Sequence, residues 1–152
     1  MFDLYYNIKD GIANLWYFRK VVWNTRWWDF YFTLEWQKAR LEYMLKHWDK
    51  SMYVGWEDDK NLIQQTLELC ELLIQDSFME NEMVFIEEKY GKCEMEDRDD
   101  NHFVLLRNGI NYDGNEEYEK DYKEAINKSE AFQLKVEDEF YIKLRKVNKL
   151  WD

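Results

Sequence analysis

Between Arg19 and Trp28 the chain interleaves fixed positive charge with flat apolar rings: Arg19, Lys20, Trp23, Arg26, Trp27 and Trp28. A guanidinium matches phosphate oxygens two at a time, and an indole stacks on a nucleobase. Arg19, Trp23, Arg26, Trp27 and Trp28 are therefore the candidate ligand-binding residues, and a small nucleotide is the ligand class that their chemistry suits. The same residues fit a second arrangement, in which the tryptophans are core and the arginines lie over them as cation–π lids. The sequence leaves both open.

Other chemistry is thinner. Arg98 and Arg107 form a second possible phosphate-gripping pair in an irregular stretch, where binding residues often sit. Their neighbours Glu94, Glu96, Asp97, Asp99 and Asp100 favour simple surface pairing instead. Glu68-x-x-Glu71 followed by Glu94-x-x-Asp97 loosely resembles the metal-binding pattern of all-α nucleoside triphosphate pyrophosphohydrolases. Carboxylates at that spacing could hold Mg²⁺ against a phosphate chain. In those enzymes the second pair lies on a helix, whereas here it follows Gly91 in an expected loop. With 32 acids in 152 residues, chance matches are expected. His47 and His102 are isolated, no Cys/His metal spacing occurs, and Ser51, Ser77 and Ser129 lack a nearby histidine motif. Gly-rich phosphate loops are missing too. The expectation is a binding protein rather than an enzyme, with no catalytic residue, metal or cofactor.

The elements that must position these residues follow from periodicity. Ile8, Ile12, Leu15, Trp16, Phe18, Val22 and Trp23 recur at helical spacing, predicting a helix over Ile8 to Asn24. Residues 1–7 are expected to tuck against the body. Asn24-Thr25 breaks the run, and Asp29 can cap a second helix with Phe30, Leu34, Leu41, Met44, Leu45 and Trp48 on one face. These two helices should form an antiparallel hairpin with the tryptophan corner at its tip. After a linker at Lys50 to Gly55, a third helix runs from Glu57 or Asp58, with an acidic first turn suited to the helix dipole. Leu62, Ile63, Leu67, Cys70, Leu73, Ile74 and Phe78 form its stripe; Asp76-Ser77 marks a kink and Gly91 a stop. Glu116 to Trp151 reads as one long amphipathic helix. Between them, His102–Arg107, Asn108-Gly109 and Ile110–Tyr112 read as a hairpin about a type I′ turn, or as a plain loop. The predicted fold is all-α: a single helical domain over 1–152, four main helices in a bundle-like arrangement, with a loop or small hairpin near 92–115.

Charge narrows the partners. The net charge is −11, but residues 1–56 carry eight Lys/Arg against six Asp/Glu, while residues 57–152 carry thirteen against twenty-six. Such a chain should repel duplex nucleic acid, yet a basic corner in its first third can still hold a small anion. No proline and five glycines leave little to break long helices. Cys70 and Cys93 are too few for a disulfide framework, and Cys70 sits in an apolar run, so a reducing cytosol is the expected compartment. The start MFDLYYNIKD lacks the basic region of a signal peptide, and Arg19-Lys20 interrupts the apolar run from Ile12, so no membrane span is expected.

Val21-Val22-Trp23-x-x-Arg26-x-Trp28-Asp29-x-Tyr31, followed by Leu41-x-x-Met44, resembles a group of small helical proteins encoded by tailed phages. Members carry an Ile-Trp-x-x-Arg-x-Trp-Asp corner, then a Lys-Leu-x-x-Met helix, an Asp-rich helix start, an acidic Leu-rich helix, and a long last helix ending in Trp-Trp-Asp. The corresponding positions here are Asp58-Asp59, Leu67 to Asp76 and Leu150-Trp151-Asp152, with leucine replacing the first tryptophan. The resemblance covers most of the chain, is weak over 92–115, and carries no activity. It implies a phage origin and an infected bacterial cytoplasm. In that setting the aromatic-arginine corner suits an anti-defence protein that sequesters a small nucleotide immune signal, cyclic or ADP-ribose-type, without cleaving it, as a homo-oligomer. The alternative is an acidic inhibitor that docks on a host defence protein. Metal-dependent nucleotide hydrolysis by Glu68, Glu71, Glu94 and Asp97 stands third.

Overall fold

Residues 2–24, 30–47, 55–98 and 102–151 are described by the computed structural model. Among them are five helices and one two-stranded antiparallel sheet: α1 (Phe2–Asn24), α2 (Phe30–His47), α3 (Trp56–Gln75), α4 (Glu80–Tyr90), β1 (Cys93–Arg98), β2 (His102–Arg107) and α5 (Glu116–Asn148), with a short 3₁₀ turn at Lys149–Trp151. The fold is largely all-α, with five helices rather than the four expected. The extra helix arises because Asp76 takes a left-handed conformation at φ 49°, which an α-helix cannot accommodate. The expected kink is thus a full break, and α4 restarts with the Glu80 amide donating to Ser77 O at 3.1 Å.

The chain divides into two compact units, residues 1–75 with 139–152, and residues 76–138. In the first, α1 is helical from Phe2, six residues before the expected start. α2 buries Leu34, Ala39, Leu41 and Met44, and α3 buries Ile63, Thr66, Cys70 and Leu73 at spacings of three and four. The end of α5 adds Phe140, Leu144 and Val147 to the buried set. The Cys70 thiol donates to Leu34 O at 3.3 Å, and the Thr66 hydroxyl donates to Leu62 O at 2.6 Å, so neither polar group is left unsatisfied. Burial pushes the Cys70 thiol up to about 12, so it is an inert core residue. Lys38 reaches from α2 to Glu71 on α3 at 2.9 Å, and Lys143 of α5 donates to Gln65 of α3 at 2.8 Å.

In the second unit, Ile86, Tyr90 and Ala125 form the core, flanked by Met83, Tyr112, Tyr118 and Tyr122. Gly91 ends α4 at φ 91°, its amide donating to Glu87 O at 2.8 Å. The hairpin exists, but its strands pair Cys93 with Arg107 through Arg98 with His102. The partner of His102–Arg107 is therefore the preceding acidic run CEMEDR, rather than Ile110–Tyr112 as expected. The Asn108-Gly109 turn does form, with φ 49° and 76°, and closes a single Arg107–Ile110 bridge. β1 escapes notice because Glu and Asp are poor strand formers and its one large apolar side chain, Met95, is exposed beside Leu105.

Candidate functional site

At 100° per residue, Ile8, Gly11, Ile12, Leu15, Trp16, Phe18, Arg19, Val22 and Trp23 fall within one arc of α1 roughly 160° wide. Only Gly11 and Arg19 in that arc are not apolar. An arc of this kind ordinarily faces a core, yet Trp23 is 89% exposed, Leu15 75% and Trp16 68%; Ile8, Ile12 and Val22 are also more than half exposed. Six such side chains present on the order of 700 Å² of apolar surface, more than the roughly 300–600 Å² of the largest patch on a typical monomer. The stripe is real, but little within the unit covers it.

One side of the arc meets α2. Phe18 lies against Trp36 at 4.9 Å between ring centroids, and Tyr17 meets Tyr43 edge-on at 4.7 Å. Beside these rings runs an open groove of about 430 Å³, lined by Gly11, Asn14, Leu15, Phe18, Arg19, Val22, Trp23 and Trp36. Ligand pockets typically span roughly 300–1,000 Å³. Gly11 helps to keep the groove wide: a methyl group placed on it would meet nothing within 4 Å. Arg19 sits on the rim with its guanidinium 3.8 Å above the Trp16 ring, donating to the Trp16 carbonyl one turn back. It is exposed, so its charge faces solvent beside the apolar floor.

Of the five residues singled out from sequence, the groove brings together Arg19 and Trp23. Arg26, Trp27 and Trp28 lie outside the described residues, as does the Asp29 cap. Arg19 over Trp16 has the geometry of a cation–π lid, but neither Trp16 nor Trp23 is core. Gly11, Asn14 and Trp36 are the lining residues that sequence reasoning missed; Trp36 belongs to α2, and no periodicity specifies which α1 residues it will meet. Leu15, Phe18 and Val22 are visible in the sequence as residues at helical spacing, which does not say what covers them.

Comparison with protein-family models, with curated proteins and with solved structures returns no match.

The remaining candidates resolve structurally. Arg107 is buried, not paired on the surface: its Nε donates to the Tyr118 hydroxyl and its Nη1 to Gly91 O, both at 3.0 Å. It ties β2 to the end of α4 and to α5, within a cluster where the Tyr90 ring meets Tyr112 at 5.3 Å and Tyr118 at 5.0 Å. The side chain of Arg98 lies outside the described part. Glu71 is engaged by Lys38, and Glu68 and Glu71 lie on α3 of the first unit while Glu94 and Asp97 lie on β1 of the second. Among the described residues no group of three or more His, Cys, Asp or Glu could hold a metal ion. His47 stays local, its Nδ1 2.9 Å from Tyr43 O. No described helix is long and apolar enough to cross a membrane.

Sequence reasoning also missed a polar cluster. Tyr90 donates to Asp121 at 2.8 Å, and Lys89 bridges Asp121 at 2.6 Å and Glu117 at 2.8 Å. The hydrogen bond from Lys89, then that from Tyr90, holds the Asp121 carboxyl below its ordinary value, and the Lys89 ammonium is correspondingly raised. These groups pair with one another and fix α4 to α5; the cluster is a clamp.

Proposed function

We propose that this chain is a non-catalytic binding protein that sequesters a small nucleotide signal in the α1–α2 groove. What supports this is the convergence of Trp23, Trp36 and Phe18 with the Arg19 guanidinium on one opening of nucleotide size. Trp23 and Trp36 offer stacking surfaces for a base, and Arg19 offers a phosphate partner on the rim. Arg26, Trp27 and Trp28 follow directly on in the chain and would extend the same chemistry.

The magnitudes bear on how such a site must be built. Stacking contributes about 1–3 kcal/mol per base, and a hydrogen bond to a charged group about 1.5–3 kcal/mol. Nanomolar sequestration needs about −12 kcal/mol. One base and one phosphate in an open groove fall short of that, so tight binding calls for enclosure. A homo-oligomer supplies enclosure without lengthening the chain.

A second reading rests on the acidic surface. Glu87, Glu88, Glu94 and Glu96 are all exposed on α4 and β1, and such rows suit docking into a basic nucleic-acid channel of a host defence enzyme. Steep loss of partner binding with salt would mark that case.

The test is depletion and release. Purified protein is mixed with cyclic dinucleotides, cyclic trinucleotides and ADP-ribose derivatives, with and without Mg²⁺, and the free pool is measured before and after heat denaturation. A nucleotide that disappears and returns intact supports sequestration. One that returns cleaved makes the chain an enzyme, and no depletion across the panel removes the nucleotide reading.

A further inference from the structure

We infer that the exposed apolar arc of α1 is a self-association surface, and that its occupant is α1 of a second copy of this chain. Ile8, Ile12, Leu15, Arg19 and Val22 alternate at spacings of four and three, which is the knob spacing of two helices packed side by side. Inside the chain this seam is left open: its four apolar members are all more than half exposed.

Area, charge and symmetry each favour a second copy. The arc presents on the order of 700 Å², close to the roughly 800 Å² that each partner gives to an interface of standard size. Two chains of −11 repel over most of their surfaces. α1 is the exception, carrying Asp3 and Asp10 against Lys9, Arg19 and Lys20, so two copies can approach there at little electrostatic cost. A two-fold interface pairs the same patch with itself. In an antiparallel pair centred on Leu15, Ile8 falls opposite Val22 of the partner subunit, and Arg19 opposite Gly11 of the partner subunit. An anionic bilayer is the poorer occupant: an amphipathic helix rich in Trp can lie on a membrane, but here it would bring a strongly acidic chain to a negative surface.

Leu15, Arg19 and Val22 belong both to the seam and to the groove, so a second copy seated on α1 would also wall the groove's open side. That consequence rests on the nucleotide reading; the pairing itself does not.

Sedimentation equilibrium of the full chain at micromolar concentration tests the surface, with Ile8→Glu and Ile12→Glu as variants. Both side chains are exposed in the chain and neither lines the groove, so the helical circular dichroism and Tm of the monomer should survive substitution. The wild type is expected at about twice its 19.0 kDa mass. Each variant should raise the dimer dissociation constant at least about 100-fold, a shift typical of a charge placed in an apolar seam. Leu134→Glu, at an exposed apolar position on α5, is the control and should remain dimeric. A wild type that stays monomeric, or a dimer indifferent to Ile12→Glu, overturns the proposal. So does a monomer that floats with phosphatidylglycerol vesicles, which would assign α1 to a lipid surface. A dimer that depletes no nucleotide leaves the pairing standing and removes only the nucleotide site, while a monomer that sequesters nucleotide does the reverse.

Discussion

Arg107 shows how far a residue's surroundings can depart from its sequence neighbours. Acids dominate the paired strand β1, yet its guanidinium is buried on a carbonyl and a tyrosine hydroxyl. Replacing it with methionine keeps the apolar stem and strands both acceptors, Gly91 O and the Tyr118 hydroxyl. The expected loss is about 2–3 kcal/mol in urea unfolding, and Arg107→Lys should not restore it, because an ammonium cannot span two acceptors as a planar fork does. Asp121 carries the pH dependence. Its carboxyl is held below the ordinary 3.8 by Lys89 and then Tyr90, so its contribution is fully present above that value and fades as pH falls through the lower folded value. Asp121→Asn should lower Tm at neutral pH, and the gap to wild type should narrow as the pH is brought below 3.8. A gap that stays constant into acid would show that Asp121 titrates normally.

Among the elements, α5 and the buried face of α2 were legible because strong 3.6-residue periodicity and burial coincide there. Ala125, Val136, Phe140, Leu144 and Val147, at helical spacing along α5, are buried, whereas Phe132 on the same stripe is 53% exposed. Three things were not legible. The break after Gln75 depends on one left-handed aspartate, and aspartate enters that conformation without leaving a sequence pattern. β1 has strand pairing without strand composition. α1 has the pattern of a buried helix without the burial, because periodicity reports which face is apolar and is silent on what covers it. Gly91, by contrast, is legible as a stop and does end α4. At φ 91° with the Asn108 side chain filling the place a methyl would take, Gly91→Ala must strain the backbone and displace Asn108. A loss of about 1–3 kcal/mol is expected in thermal or urea unfolding, and an unchanged Tm would show that the hairpin shifts freely.

For the whole molecule, charge and aromatic content divide along the chain. The near-neutral residues 1–56 hold seven of the eight tryptophans and supply the groove, whereas the rest carries the acidic excess. Composition thus singles out the end of the chain proposed to bind, although Trp36 had to be placed by the fold. Trp23 makes the groove testable without ambiguity. At 89% exposure it contributes almost nothing to folding, so its removal should be felt by a ligand and not by the monomer's stability. The decisive measurement is equilibrium dialysis of the nucleotide that the wild type depletes against wild type and Trp23→Ala, with a thermal melt of each. Loss of one stacking platform should weaken binding about 5- to 150-fold, equivalent to about 1–3 kcal/mol, with Tm unchanged when the two proteins are compared as monomers. Equal affinity in the two proteins would contradict the account and place the ligand elsewhere.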